Sequence, residues 1–459
     1  MVDNSYTLKR VLGLKESVII NLGAIIGAGI FVIIGLAAAK AGPAIVLSIF
    51  ISALIAIFTG LSFSEIAQHV SKEGGVYEYA KETFRPSAGF VGGTMWTFSN
   101  MIALSAVSLS LGSYVNALFG IHVDTIIYAI SFIILFASLN IAGIKNSTKT
   151  LTALVLINLL VLAIFIISGL FYFNASHFSN FIPNGFGGIL AGSALIFFAF
   201  TGFSRITTVG DEVKDPEKTI PKAIILSIII SSILYAAIAI VAVGLVNTSV
   251  LGHAAAPLST AIAIIKNPYL DAIIAIGGIT ATAGVILTGI LGTSRVLYAM
   301  GRDNEIPSKF GYVDKYSTPL YSILLSTVIS LIFVYFVSFS TIIEASNVSV
   351  LIAYIIINFS AIVLWNKIKK EDNPQKLREH KYFFLIPSIG ILTILITISY
   401  LGIHAIEISL AVLFIISLIY YLRYILFTEG YIKVVNKRIP RISLVRVIGK
   451  SRAVIKKDL

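Results

Sequence analysis

Very little in this 459-residue sequence can do acid–base, nucleophilic or metal chemistry inside an apolar phase. There is no cysteine, which removes thiolate catalysis, disulfides and Cys-based metal sites. None of the 22 acidic residues falls in the middle of a long apolar run; Glu65, Glu344 and Glu407 come nearest, at run ends. The histidines sit in loops or at run ends, and Arg205 and Arg295 lie toward the ends of theirs. A metal centre needs clustered His, Asp or Glu, and a proton path needs ionisable groups at depth. Neither pattern is present, so no metal and no cofactor are expected. A charged small molecule held within those runs must be met mostly by backbone dipoles.

Backbone is on offer in two places. Residues 21–35 read NLGAIIGAGIFVIIG, and Gly27-Ala28-Gly29 carry almost no side chain. Glycine lowers the cost of leaving helical geometry. An unwound stretch here would present N–H groups at the start of a half-helix, where an anion is favoured. The other reading is a small-residue packing face on a continuous helix. Residues 192–212 read GSALIFFAFTGFSRITTVGDE, with Gly202 beside Thr201 in the middle of the run. Interrupted segments at matching positions of two halves point to a transporter site.

The elements that must position these residues follow from composition. Hydrophobic residues make up 57% of the chain and charged residues 12%, too few charges for a water-soluble surface of this size. Apolar runs cover residues 18–39, 43–68, 88–118, 124–142, 151–173, 187–210, 223–246, 270–299, 318–338, 342–365, 382–403 and 405–427. Each is near the length of a membrane-crossing helix. The first run is longer than a signal-peptide core and is followed by many others, so it reads as a span. Spans 1–5 (18–174) and 6–10 (187–365) would form two inverted repeats. Residues 1–17 precede them, 382–427 add two helices, and 428–459 form a basic tail. The net charge of +12 suits the positive-inside rule better than nucleic-acid binding. With the N-terminus inside, the outside loops hold only Lys40 and Lys266. Both termini are therefore expected in the cytoplasm of a multi-pass cell-membrane protein, with the tail near anionic lipid. No oligomerisation signature is evident. The loop at 211–222 carries Asp211, Glu212, Lys214, Asp215, Lys218 and Lys222, a candidate inner-gate network.

Several stretches resemble one family, the amino acid–polyamine–organocation transporters, over roughly residues 10–365. They are GAIIGAGIFVIIG in the first span, FFAFTGF at 197–203, DEVKDPEKTIPKAI at 211–224, RVLYAMGRDNEIP at 295–307 and EGGVYEYAKETF at 73–84. The resemblance implies an all-α membrane protein of LeuT-like fold: twelve helices, a 5+5 inverted repeat, and breaks in helices 1 and 6. It places a substrate α-carboxylate on the N–H groups of Ile26, Gly27, Ala28 and Gly29. It places the α-ammonium on carbonyls around Phe198, Ala199 and Thr201 near Gly202, with help from Ile25. Phe198 stands where relatives carry an aromatic gate. Asn100 would reach the side-chain pocket or form an interhelical hydrogen bond.

Two departures bear on coupling and substrate. Asn158 stands where a proton-coupled branch has lysine, and asparagine carries no titrating charge. That leaves sodium, with Thr280, Thr282 or Thr288 supplying oxygens, or ion-free exchange; proton coupling is put in doubt. Ser204 and Arg205 follow GF, where the family often has an acid. The expected function is transport of amino acids, neutral ones first, by alternating access. A cationic amino acid or polyamine exchanger is the alternative within the class. A channel would need a continuous polar pore, and a lipid-modifying enzyme an acid–base or metal cluster.

Overall fold

The computed structural model describes residues 10–27, 29–314, 317–336, 339–370 and 384–438. Ala28, the start of the chain, the basic loop before the last two helices and the end of the basic tail lie outside that set. Regular structure among the described residues is helical, apart from one isolated parallel bridge between Leu12 and Val213.

Helix α1 (Leu14–Ile25) stops early; a π-helical turn (Gly29–Ile33) and α2 (Ile34–Ala41) continue the run. Gly42, at φ 66°, turns the chain toward α3 (Ile45–Ala67), a conformation that glycine adopts at no steric cost. The short α4 (Val76–Thr83) precedes α5 (Pro86–Phe119). Helix α5 opens on proline, which is pre-set for a first turn, and closes on left-handed Gly120. Then come α6 (Thr125–Ile141), α7 (Ile144–Leu170) and α8 (Gly185–Phe200), which passes directly into a 3-10 helix, Thr201–Glu212. Helix α9 (Pro216–Leu245) begins several residues before its apolar run, because Pro216 at the first position nucleates it. The short α10 (Thr248–His253) and α11 (Pro257–Ile262) lead to α12 (Pro268–Arg302). Asn267 caps α12 by accepting from the N–H groups of Tyr269 and Leu270. The chain ends with α13 (Leu320–Phe336), α14 (Phe339–Lys370), α15 (Leu385–Ser399) and α16 (Ile403–Arg438).

Among the described residues, eight helical runs are long and apolar enough to cross a membrane: Leu14–Ala67, Pro86–Phe119, Ser147–Leu170, Gly185–Glu212, Pro216–Leu245, Pro268–Arg302, Thr341–Lys369 and Ile403–Ile425. Thr125–Ile141, Leu320–Tyr335 and Leu385–Ser399 are apolar but shorter. Large apolar side chains point out of the bundle on α7, α9 and α16, with Leu160, Ile233 and Phe414 each more than 60% exposed. Such a surface is unsuited to water and suited to lipid.

The bundle has a clear inside. Within the apolar window of Pro268–Arg302, 72% is buried, against 17% for Ile403–Ile425, so α12 is central and α16 peripheral. Helix α12 packs along α5 and α7, while α1 packs on the 3-10 segment and α9. These contacts bring the two glycine-bearing stretches of the sequence face to face.

Candidate functional site

The first interruption lies where the glycines predict it. Ile26 leaves helical geometry at φ −77°, ψ 92°, though its N–H still donates to the Leu22 carbonyl at 2.7 Å. That N–H is therefore already used, contrary to the expectation that it would face an anion. The π turn restores bonding, with the Phe31 N–H on the Gly27 carbonyl at 3.2 Å.

The second interruption differs from the expected unwinding. Helix α8 does not open at Thr201-Gly202; it tightens into the 3-10 segment, within which Val209 alone leaves helical geometry. Changing the hydrogen-bond register frees carbonyls for other donors. The Thr201 hydroxyl donates to the Phe198 carbonyl at 2.8 Å, and Tyr354 donates to the Thr201 carbonyl at 2.8 Å. The Tyr235 hydroxyl reaches the Ile25 carbonyl at 2.6 Å and the Ala199 carbonyl at 3.3 Å. Tyr235 thus joins both interruptions. Sequence spacing gives no hint of either tyrosine, since they come from α9 and α14.

Asn21 adds a second clasp. Its amide oxygen accepts from the Ile206 N–H at 2.9 Å and its nitrogen donates to Ser227 at 3.2 Å. Close approach explains two glycines. A Cβ on Gly29 would lie 2.3 Å from the Ala199 Cβ, and one on Gly202 would lie 2.6 Å from the Ile25 nitrogen. Gly27 turns the other way, toward Val285 of α12.

A small pocket opens where these elements meet α5 and α12. Ile25, Gly29, Asn100, Phe198 and Thr201, all picked out in the sequence, line it. Ile26, Gly27, Ala199 and Gly202 do not; they pack around it, and Ala28 is outside the described residues. Arg205 also lines the pocket. Arg205 lies toward the end of the Gly185–Glu212 run, as its position in the sequence indicates, yet its side chain adds a full charge to a site expected to be met mostly by backbone dipoles. Its Nη2 donates to the Asn100 Oδ1 at 2.5 Å, and its guanidinium lies 4.9 Å from the Trp96 ring centroid. No carboxylate pairs with it among the described residues. Ser99, the residue before Asn100 on α5, donates to the Ser346 carbonyl of α14 at 2.8 Å.

The residues named for ion coupling lie elsewhere. Asn158 is buried and, with its amide oriented to meet both partners, donates to the Gly277 carbonyl at 3.0 Å and accepts from the Ala281 N–H at 3.1 Å. Those groups are four residues apart on α12, so Asn158 is wedged into that helix's own ladder. Thr280 donates back to Gly277 at 3.1 Å, Thr282 to Gly278 at 2.7 Å and Thr288 to Gly284 at 2.8 Å. Their protons are spent within α12, which leaves lone pairs only.

An ionic network lies further along the 3-10 segment. Glu212 accepts from the Arg295 Nε at 3.0 Å, both side chains being fully buried. Arg302 contacts Glu73 at 3.1 Å, Glu78 at 3.4 Å and Asp211 at 3.7 Å. Lys81 bridges Glu78 and Asp303, and Tyr77 donates to Asp303 at 2.8 Å. Burial, reinforced by the Asp211 carboxylate, pushes the Glu73 carboxyl well above its ordinary range. Burial would raise Asp303 too, but its hydrogen bonds from Lys81 and Tyr77 hold it below the usual value. Of the loop charges noted in the sequence, Asp211 and Glu212 join this network. Lys214, Asp215, Lys218 and Lys222 make no ion pair among the described residues; Lys214 instead gives its backbone N–H to the Leu12 carbonyl at 2.8 Å. The acids at 73 and 78 were legible only as part of a family loop, because the partner they share, Arg302, lies more than 200 residues away.

Comparison with known proteins agrees with this architecture. The family model for amino acid permeases matches residues 16–442. The branched-chain amino acid permease BcaP of Bacillus subtilis (strain 168) is 30% identical over 416 residues, covering 86% of this chain and 89% of the relative. The methylthioribose transporter of the same organism is 28% identical over 384 residues, covering 80% and 83%. Cationic amino acid transporter 9, chloroplastic, of Arabidopsis thaliana is 25% identical over 334 residues, covering 67% and 58%. With a family match across nearly its whole length and helices fit to cross a bilayer, the chain is a multi-pass membrane transporter, not an enzyme, and belongs to the amino acid permease family.

Proposed function

We propose that the chain moves amino acids across the cell membrane by alternating access, as a secondary transporter, with the substrate α-amino and α-carboxylate groups held between the two interruptions. The observation that carries this reading is the shared pocket of Ile25 and Gly29 from the α1 run with Phe198 and Thr201 from the α8 run. A zwitterion has two opposite charges, and interrupted helices offer N–H and C=O groups of opposite polarity. The Leu14–Ala67 run, folded back at Gly42 and counted as two, and the three shorter helices would complete twelve passes in a 5+5 arrangement. The distribution of lysine and arginine supports cytoplasmic termini.

Among the described residues no carboxylate lines the pocket, whereas a guanidinium does. That disfavours the cationic amino acid and polyamine alternative and leaves substrates of neutral or negative net charge. The test is uptake of labelled amino acids into proteoliposomes under no gradient, a pH gradient, a sodium gradient, or internal unlabelled substrate. Uptake of a non-cationic amino acid supports the reading, and the driving condition names the coupling. Uptake confined to lysine, arginine or polyamines would overturn the charge argument.

A further inference from the structure

Resting on the reading of the pocket as the amino acid site, we propose that Arg205 is a specificity-determining residue that pairs with a side-chain carboxylate of the substrate, making acidic amino acids the preferred class.

Arg205 is only 5% exposed, yet among the described residues its Nε and Nη1 have no hydrogen-bond partner. Among the described residues its acceptor is the neutral Asn100 Oδ1, and the Trp96 ring lies beside it. By contrast, the other fully buried guanidinium, that of Arg295, has a carboxylate on it at 3.0 Å. A buried cation without a counter-charge is costly, and donors left unmade in the interior are costlier still. A ligand carboxylate supplies the missing counter-charge and accepts from one of the two unmade nitrogens. Nε and Nη1 lie on different edges of the guanidinium, so a carboxylate bound through two parallel N–H···O bonds takes one of them together with the second N–H of Nη2.

Position in the pocket separates the side-chain carboxylate from the α-carboxylate. Arg205 follows Thr201 by four residues on the 3-10 segment and bonds Asn100 of α5, which lines the pocket with Ala103 and Leu104. Gly29 and Ile25 lie at the other interruption. With the amino and carboxylate groups of the substrate between Gly29 and Thr201, its side chain extends toward Arg205. Gly292 of α12 leaves room for this side chain, since a Cβ there would lie 2.6 Å from both the Arg205 Cδ and its Nη1.

The test compares each acid with its own amide in the unaltered protein, and then in Arg205→Gln and Arg205→Lys. Competition for uptake in proteoliposomes, and ligand-induced rise of melting temperature in detergent, are read for glutamate, aspartate, glutamine, asparagine and leucine. The wild type is expected to favour glutamate and aspartate over their amides by about tenfold or more, in line with hydrogen bonds to charged groups. Arg205→Gln is expected to bring the acid-to-amide ratio close to one, read within the variant whatever its absolute uptake, and Arg205→Lys to keep part of the preference. Neutral amino acids carried with no advantage for the acids would overturn this proposal and leave the amino acid site standing. Neither uptake nor thermal stabilisation by any of the five would overturn both. The wild-type comparison decides the matter even where a variant fails to fold.

Discussion

Gly29 and Ala199 are in backbone contact: a Cβ added to Gly29 would lie 2.3 Å from the Ala199 Cβ and 2.4 Å from its Cα. The approach is reciprocal, because a Cβ on Gly202 would lie 2.4 Å from the Ala24 carbonyl carbon. The two interrupted runs are interlocked, each glycine seated against the other's main chain. Neither backbone can yield without shifting a whole segment, whereas a side chain could rotate away.

Substitutions here should therefore rank by what the new atoms meet. Gly29→Val and Gly202→Ala drive a new side chain into the other segment's Ala199 or main chain, neither of which can rotate away, and should abolish measurable uptake. Gly27→Ala meets a Val285 methyl group at 2.1 Å, a side chain whose movement costs about 1–3 kcal/mol. It should leave reduced but saturable uptake. Normal kinetics for Gly29→Val in proteoliposomes would refute the interlock.

Tyr235→Phe removes the hydroxyl that spans the Ile25 and Ala199 carbonyls. Leaving a buried acceptor unpaired costs about 1–3 kcal/mol. We expect a lower melting temperature in detergent and about a tenfold loss of uptake, because the pocket geometry depends on both interruptions being held together. An unchanged KM and rate would reduce Tyr235 to a packing residue.

The sequence made the glycine breaks legible because backbone exposure requires small residues, and small residues are visible as letters. Gly29 and Thr201 were found that way, and both line the pocket. The role of Arg205 was not visible. Its number along the span suggested a place near the end, but a 3-10 segment and a long side chain return its guanidinium to the pocket. Tyr235 and Tyr354 were hidden for another reason: a hydroxyl that caps a distant carbonyl leaves no periodic trace in the chain. The expected opening at Thr201-Gly202 became a tightened helix, since hydroxyls from Thr201, Tyr235 and Tyr354 satisfy the carbonyls that unwinding would have exposed.

The Arg295–Glu212 pair predicts an asymmetric response. Breaking a buried ion pair by removing one partner costs about 3–5 kcal/mol, because the remaining charge is stranded. Arg295→Met should therefore lower the melting temperature sharply. Arg295→Met with Glu212→Leu should recover much of that loss, since no charge is left behind. A double variant as unstable as the sum of the two singles would show that the pair acts only through packing.

The carboxyl of Glu73 gives the network a pH dependence with a defined sign. Burial chiefly, and Asp211 next, raise its folded value above the ordinary 4.5, while Arg302 opposes them. The fold thus favours the protonated acid. Its contribution to stability is complete below pH 4.5 and is lost as pH rises from there through the raised folded value. Glu73→Gln is neutral at every pH and avoids that loss. The melting temperature of the variant should therefore gain on the wild type as pH rises from about 4 to 8, a range that brackets ordinary carboxyl titration. Asp303 works the other way: it is held below its ordinary 3.8, so its stabilisation is present at neutral pH and lost only as pH falls below that value. A variant-minus-wild-type difference that stayed flat or declined with rising pH would show that Arg302 holds Glu73 ionised and that the burial cost is already met.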